Sequence, residues 1–175
     1  MNGTTALNLI RRLGGICLAI LVLASAKDAR AADEVRVNHG KWQLYCAASK
    51  PGASQECEIH QLLSNAKKQL AAGMYVIRRG SGSVLMVRVP LGVLLNKSMM
   101  LQIDNGIGTD ALTFLRCDTD GCIAQMPATE PFLNSLRKNS GVTLTMYANA
   151  NTPIPIKFTL DGFAAAEKAL SERAR

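Results

Sequence analysis

Val142-Thr-Leu-Thr-Met-Tyr-Ala-Asn-Ala-Asn-Thr-Pro-Ile-Pro-Ile-Lys-Phe-Thr-Leu-Asp161 is the stretch on which the fold class turns. Val142, Leu144 and Met146 alternate with Thr143, Thr145 and Tyr147; Ile154, Ile156, Phe158 and Leu160 alternate with Pro155, Lys157, Thr159 and Asp161. A period of two places each set on one face of an extended chain, so both runs predict half-buried strands, with residues 148–153 as the turn between them. Working outward, the same patterning predicts strands at 41–46, 57–62, 74–79, 83–89, 99–103, 112–117 and 122–126. Their connections include Gly80-Ser-Gly82 and Asp104-Asn-Gly106, and long helices never alternate with them. That combination predicts an all-β, antiparallel sandwich.

Two stretches depart from the pattern. Residues 129–139 carry an N-cap candidate in Thr129, an early Pro131, apolar Phe132, Leu133 and Leu136, and Gly141 just beyond, which predicts a short helix. At the C-terminus, Asp161 is placed to cap a helix in which Phe163, Ala166 and Leu170 share a face, with Lys168, Arg173 and Arg175 toward the end that favours positive charge. Phe163 is expected to dock this helix on a sheet edge. Residues 61–73 stay open between strand and helix, because Leu62, Leu63, Ala66 and Leu70 also fit helical spacing.

The chain begins with a polar segment carrying Arg11 and Arg12, then the apolar run Ile16 to Ala24, then small residues at Ala24-Ser-Ala26 and Ala29-Arg-Ala31. This reads as a secretory signal peptide over residues 1–31, cleaved after Ala31, with Ala26 as the alternative. A run of nine is well short of the roughly 20 residues a membrane-spanning helix needs, so no transmembrane segment is expected after cleavage. Cys17 opens the apolar run instead of following it, which disfavours lipid modification. Residues 32–175 are then expected to form a single domain. The formal charge falls from +7 to +4 as four basic residues and one acidic residue leave with the signal. The remaining basic doublets, Lys67-Lys68, Arg78-Arg79 and Arg137-Lys138, are dispersed and not interleaved with aromatics, so nucleic acid is not an expected partner.

Four cysteines survive cleavage, Cys46, Cys57, Cys117 and Cys122, and an even number in an exported chain points to disulfides. Strands 112–117 and 122–126 would place Cys117 opposite Cys122, and facing Cα atoms in an antiparallel ladder lie about 4.5–5.5 Å apart, within disulfide reach. By the same reasoning Cys46 and Cys57 pin the first two strands. A thiol oxidoreductase would show Cys-x-x-Cys opening a helix, and zinc would want closely spaced ligand pairs; neither is present. Asp118-Thr-Asp120-Gly121 resembles the start of a calcium loop but lacks the later glutamate, and a hairpin tip explains it better. His39 and His60 lie in no catalytic motif, and Gly-x-Ser-x-Gly and phosphate loops are missing, so no catalytic, metal-binding or cofactor-binding residues are assigned and no cofactor is expected. Trp42, the one tryptophan, reads as a core anchor. Methionines in Lys97-Ser-Met-Met100 are candidates for an adaptable contact surface.

In order along the chain stand Trp42-x-x-x-Cys46, Cys57-Glu-Ile, Val89-Pro90-Leu-Gly92-Val-Leu-Leu95, Cys117-x-x-x-Gly121-Cys122 and Phe158-Thr-Leu-Asp-Gly162-Phe163-x-x-Ala166. In these landmarks, from about Gly40 to Leu170, the sequence resembles the invasion-associated locus B family of bacterial envelope proteins. The resemblance implies an immunoglobulin-like sandwich and a periplasmic or surface-associated protein, from a family named for entry into host cells; it supplies no mechanism. Pro90 and Gly92 would interrupt the apolar run and bend it. The reading is therefore a non-enzymatic envelope protein, periplasmic, outer-membrane associated or secreted, that binds an unnamed protein or envelope surface in invasion or envelope function. The alternative is a periplasmic thiol-disulfide or metal-handling protein using Cys117 and Cys122.

Overall fold

In the computed structural model, residues 34–50, 53–104, 106 and 108–173 are described; the leader, with Cys17 and both cleavage positions, Ala26 and Ala31, lies outside them. The strands are β1 (Val35–His39), β2 (Trp42–Ala48), β3 (Gln55–Ser64), β4 (Leu70–Arg79), β5 (Gly82–Val89), β6 (Met99–Ile103), β7 (Gly108–Asp118), β8 (Gly121–Pro127), β9 (Gly141–Asn149) and β10 (Thr152–Thr159). Helix α1 (Glu130–Lys138) links β8 to β9, and α2 (Phe163–Arg173) follows β10. The strands pair in the order β1-β2-β3-β4-β5-β8-β7-β6-β9-β10, every pair antiparallel.

Strand β7 makes two layers from this one ladder. Its first part pairs with β6, up to Leu112 opposite Met99, and its second part pairs with β8, from Thr113 opposite Gln125. Register shifts lie in both pairings, between Met99 and Leu101 and between Phe114 and Arg116, and such irregularities let a strand leave one sheet and enter the next. The inward positions of both layers form one core: Trp42, Leu44 and Ile59 from the first sheet meet Leu101, Leu144 and Phe158 from the second. The all-β sandwich expected from the period-two runs is the observed architecture.

Three local expectations change. Strand β1 escapes the sequence reading because it is an exposed edge, so its alternation is weak. Residues 61–73 form no helix: β3 continues to Ser64, and a turn follows in which Asn65 Oδ1 accepts from the backbone N–H of Lys67 (2.9 Å) and Gln69 (3.1 Å), with Lys68 at φ 61°. The side chain of Asn65 supplies the turn geometry that a backbone carbonyl would otherwise supply. Asp161 does not cap α2 with its side chain. Instead Gly162 precedes the helix, its carbonyl accepting from Ala166 N at 3.0 Å, while Asp161 O accepts from Lys41 N at 3.1 Å. Phe163 is fully buried against Trp42 of β2, next to Gly162, which abuts the His39 carbonyl of the edge strand β1.

The open edge of the second sheet is managed by three residues. On β10, Leu160 N bonds back to Ser140 O at 2.9 Å, so even-numbered residues address β9 and odd-numbered ones address the free edge. Pro153 and Pro155 offer no N–H there, which prevents another strand from adding. Lys157 and Thr159 do offer one, and buried Gln61 of β3 answers that of Thr159. Gln61 Oε1 accepts from Thr159 N at 3.0 Å, and its Nε2 donates to Thr159 O at 3.0 Å and Lys41 O at 3.3 Å. One amide side chain thus imitates a neighbouring strand and ties the two sheets together, leaving its own polar atoms satisfied.

Candidate binding surfaces at the ends of the sandwich

Cys46 and Cys57 are register partners on β2 and β3, and the structure joins them with Cα atoms 4.1 Å apart. Cys117 and Cys122 are likewise partners and are joined at 3.9 Å. Both distances are shorter than ladder spacing alone implies. The second hairpin is tighter than a four-residue connection, since Asp118 pairs with Gly121 and only Thr119 and Asp120 form the loop. Gly121 is required there: φ is 128°, and a Cβ would lie 2.3 Å from Val89 O. Arg88 of β5 approaches Asp118 (3.7 Å) and Asp120 (3.8 Å), and Arg116 approaches Asp118 (3.6 Å), so the acidic tip faces guanidinium groups. Cys122 is buried whereas Cys117 is exposed.

Trp42, Gly162 and Phe163 come together at the start of α2. The Phe163 ring packs edge-on against Trp42 at 4.9 Å, and Trp42 Nε1 donates to Thr159 O at 2.9 Å. All three are architectural, and they place α2 over β1 to β4.

The loop after β5 behaves differently. Pro90 ends the strand, Gly92 turns at φ 91°, and the loop is then fastened by Leu94 N donating to Tyr147 O (2.8 Å) and Lys97 Nζ donating to Ala150 O (2.9 Å) while lying 3.8 Å over the Tyr147 ring. Val93 packs on the core. Leu91 and Leu95, by contrast, stay 57% and 53% exposed. Met100, opposite Thr145 two residues along β9 from Tyr147, is 41% exposed. Of the methionine candidates, Met99 is buried and only Met100 faces solvent.

The closest approach to a catalytic constellation is on the outer face of the first sheet. His60 Nδ1 lies 3.1 Å from Glu58 Oε1, with the rings of Tyr75 and Tyr45 5.6 and 6.4 Å away. Burial, then the charge of Glu58, raises the Tyr75 hydroxyl above its ordinary pKa, with Arg88 opposing. No hydroxyl or thiol nucleophile hydrogen-bonds His60 among the described residues, and no group of three or more His, Cys, Asp or Glu among them could hold a metal.

At the opposite end of β5 from the leucine loop is a cavity of about 430 Å³ lined by Gln55, Glu56, Arg78, Arg79 and Arg173. In the sequence Arg78-Arg79 is an isolated doublet and Arg173 a helix-end charge; only the fold brings them together. Nearby, Arg137 ties α1 to α2, donating to Glu130 Oε1 at 2.7 Å and Glu167 Oε2 at 3.0 Å. The hydrogen bond from Arg137 holds the Glu130 carboxyl below its ordinary pKa, and the same pairing holds the guanidinium above its own.

The five landmarks now have places: two stapled strand pairs, a tryptophan under a docked helix, a proline-glycine loop and the entry to α2. A family model described as Invasion associated locus B (IalB) protein matches residues 42–171. The chain belongs to this family. The crystal structure of invasion associated protein B from Bartonella henselae shares the fold, with a TM-score of 0.69 and 23% identity over 79% of this chain and 96% of that one. No curated protein matches the sequence.

Among the IalB landmarks, Trp42, the four cysteines, Gly121, Gly162 and Phe163 are explained by the fold. The Val89-to-Leu95 stretch is explained only in part: Val89, Pro90, Gly92, Val93 and Leu94 shape and anchor the loop, whereas Leu91 and Leu95 stay more than half exposed. Among the described residues no helix is long and apolar enough to cross a membrane.

Proposed function

We propose that this IalB-family protein is exported to the bacterial envelope after removal of residues 1–31, and works there by binding a protein or surface partner without chemistry of its own. The periplasm is its site, with outer-membrane association or secretion as the routes to an invasion role. The two disulfides and the family support export. Binding rests on one observation: a loop fastened at Leu94 and Lys97 holds Leu91 and Leu95 out to solvent. Exposed apolar side chains held on a fixed loop are a contact surface, since burying each against a partner gains about 1.5–3 kcal/mol. The thiol-disulfide reading has less support, because both cysteine pairs join adjacent strands and neither opens a helix.

Crosslinking capture from intact cells tests the surface. Leu91→Ser/Leu95→Ser should keep the melting temperature and reduce capture of the wild-type partner at least about ten-fold, the loss expected from one such side chain or more. Undiminished capture would remove this loop from the interface.

A further inference from the structure

The arginine-lined cavity has no part in the leucine surface. Arg78 and Arg79 reach it from the end of β4, Gln55 and Glu56 from the start of β3, and Arg173 from the last turn of α2. Its volume of about 430 Å³ falls within the range of about 300–1,000 Å³ usual for small-molecule sites. Of the carboxylates outside the lining, Glu130 and Glu167 are hydrogen-bonded by Arg137, and Glu130 acts on Arg78 only at a distance, without an ion-pair contact. Among the described residues Arg78, Arg79 and Arg173 form no ion pair, and the Nε of Arg78 is buried with no hydrogen-bond partner. Against three positive charges the lining offers one negative, Glu56. A dianion would balance that excess, whereas a carboxylate would leave it half answered. Guanidinium forks also match the paired oxygens of phosphate.

We propose that this cavity binds a phosphate dianion, either inorganic phosphate or the phosphomonoester of an envelope molecule. The proposal gives the binding reading a ligand of defined chemistry at the end of β5 remote from the leucine loop. The two fail separately: loss of partner capture by the leucine variant leaves phosphate titration unaffected, and absence of phosphate binding leaves partner capture unaffected.

Calorimetric titration of the protein purified from exporting cells, with inorganic phosphate and with acetate, tests the site. One phosphate should bind per chain and acetate much more weakly. Arg173→Ala should weaken phosphate about ten-fold, as loss of one charge-assisted hydrogen bond implies, and Arg79→Ala/Arg173→Ala should abolish binding. Lys168→Ala, on α2 but outside the cavity lining, should change nothing. Melting curves of each variant report whether it is folded. Cosedimentation with phosphatidylcholine vesicles, with and without phosphatidic acid, separates the sources. Capture only by phosphatidic acid, lost in the double variant, assigns a lipid phosphomonoester; phosphate binding without vesicle capture assigns a soluble one. The proposal is overturned if neither probe binds, if acetate binds as well as phosphate, or if folded arginine variants bind like wild type.

Discussion

Trp42→Ala should be the most damaging single substitution in the core, lowering unfolding stability by about 3–5 kcal/mol, the usual cost of truncating a buried aromatic. Trp42 is 1% exposed, and its indole serves three contacts at once. It fills the core from β2, meets the edge of Phe163, and donates to Thr159 O, the carbonyl that Gln61 also binds. Removing it leaves a cavity under α2 and takes one of the two side-chain donors to Thr159 O. Trp42→Phe refills much of the volume but not the hydrogen bond, so it should recover more than half of the loss. Urea unfolding of the two variants checks this. If Trp42→Ala costs less than about 1 kcal/mol, far below the range for buried aromatics, α2 is not docked on this ring.

The second large effect is expected at Gly162. At φ 85° a side chain is strained, and a Cβ there would lie 1.9 Å from His39 O and 2.8 Å from Gly40 N. Both are backbone atoms of the β1–β2 turn and cannot swing aside. Gly162→Ala must therefore separate α2 from that turn and break the Lys41 N to Asp161 O bond. The left-handed conformation alone costs about 1–2 kcal/mol, and the lost contact brings the total to about 3 kcal/mol. For a domain of this size that is a fall in melting temperature of about 6–12 °C. Gly92 is the control, because it has a similar φ of 91° and nothing within 4 Å of its added Cβ. Gly92→Ala should show only the conformational part. Equal losses at the two positions would mean that the close approach at Gly162 carries no weight.

The parts of the fold that the sequence displays are those in which one face of a strand is buried. Val142, Leu144 and Met146 are buried and their neighbours are not, so alternation is visible. In β1 the burial contrast is too slight to leave a pattern. Gln61 is illegible for another reason: its role is set by Thr159, 98 residues away, and among Leu62, Leu63 and Leu70 a polar residue looks like a helix surface. Asp161 misled because the residue directly before α2 is Gly162, whose carbonyl accepts from Ala166 N, so Asp161 stands one place too early to cap the helix. The arginine cavity could not be read at all, since Arg78 and Arg173 are separated by most of the chain and meet only when α2 lies across β4. Leu91 and Leu95 were visible as a motif, but their exposure was not, because an apolar run has the same letters whether it is buried or presented.

The central claim is that this protein acts by holding a partner and that its sulfurs are structural. Capture from intact cells by a Cys117→Ser/Cys122→Ser variant tests it most directly, because Cys117 is the exposed member of its pair and the one a thiol reaction would use. Closing a loop over a sequence separation of 5 removes little unfolded-state entropy, so the variant should lose only about 2 kcal/mol of stability. The account predicts a folded variant that captures the same partner in the same yield as wild type, under reducing and non-reducing conditions alike. A folded variant that captures nothing, with the wild-type complex released by reductant, would contradict it.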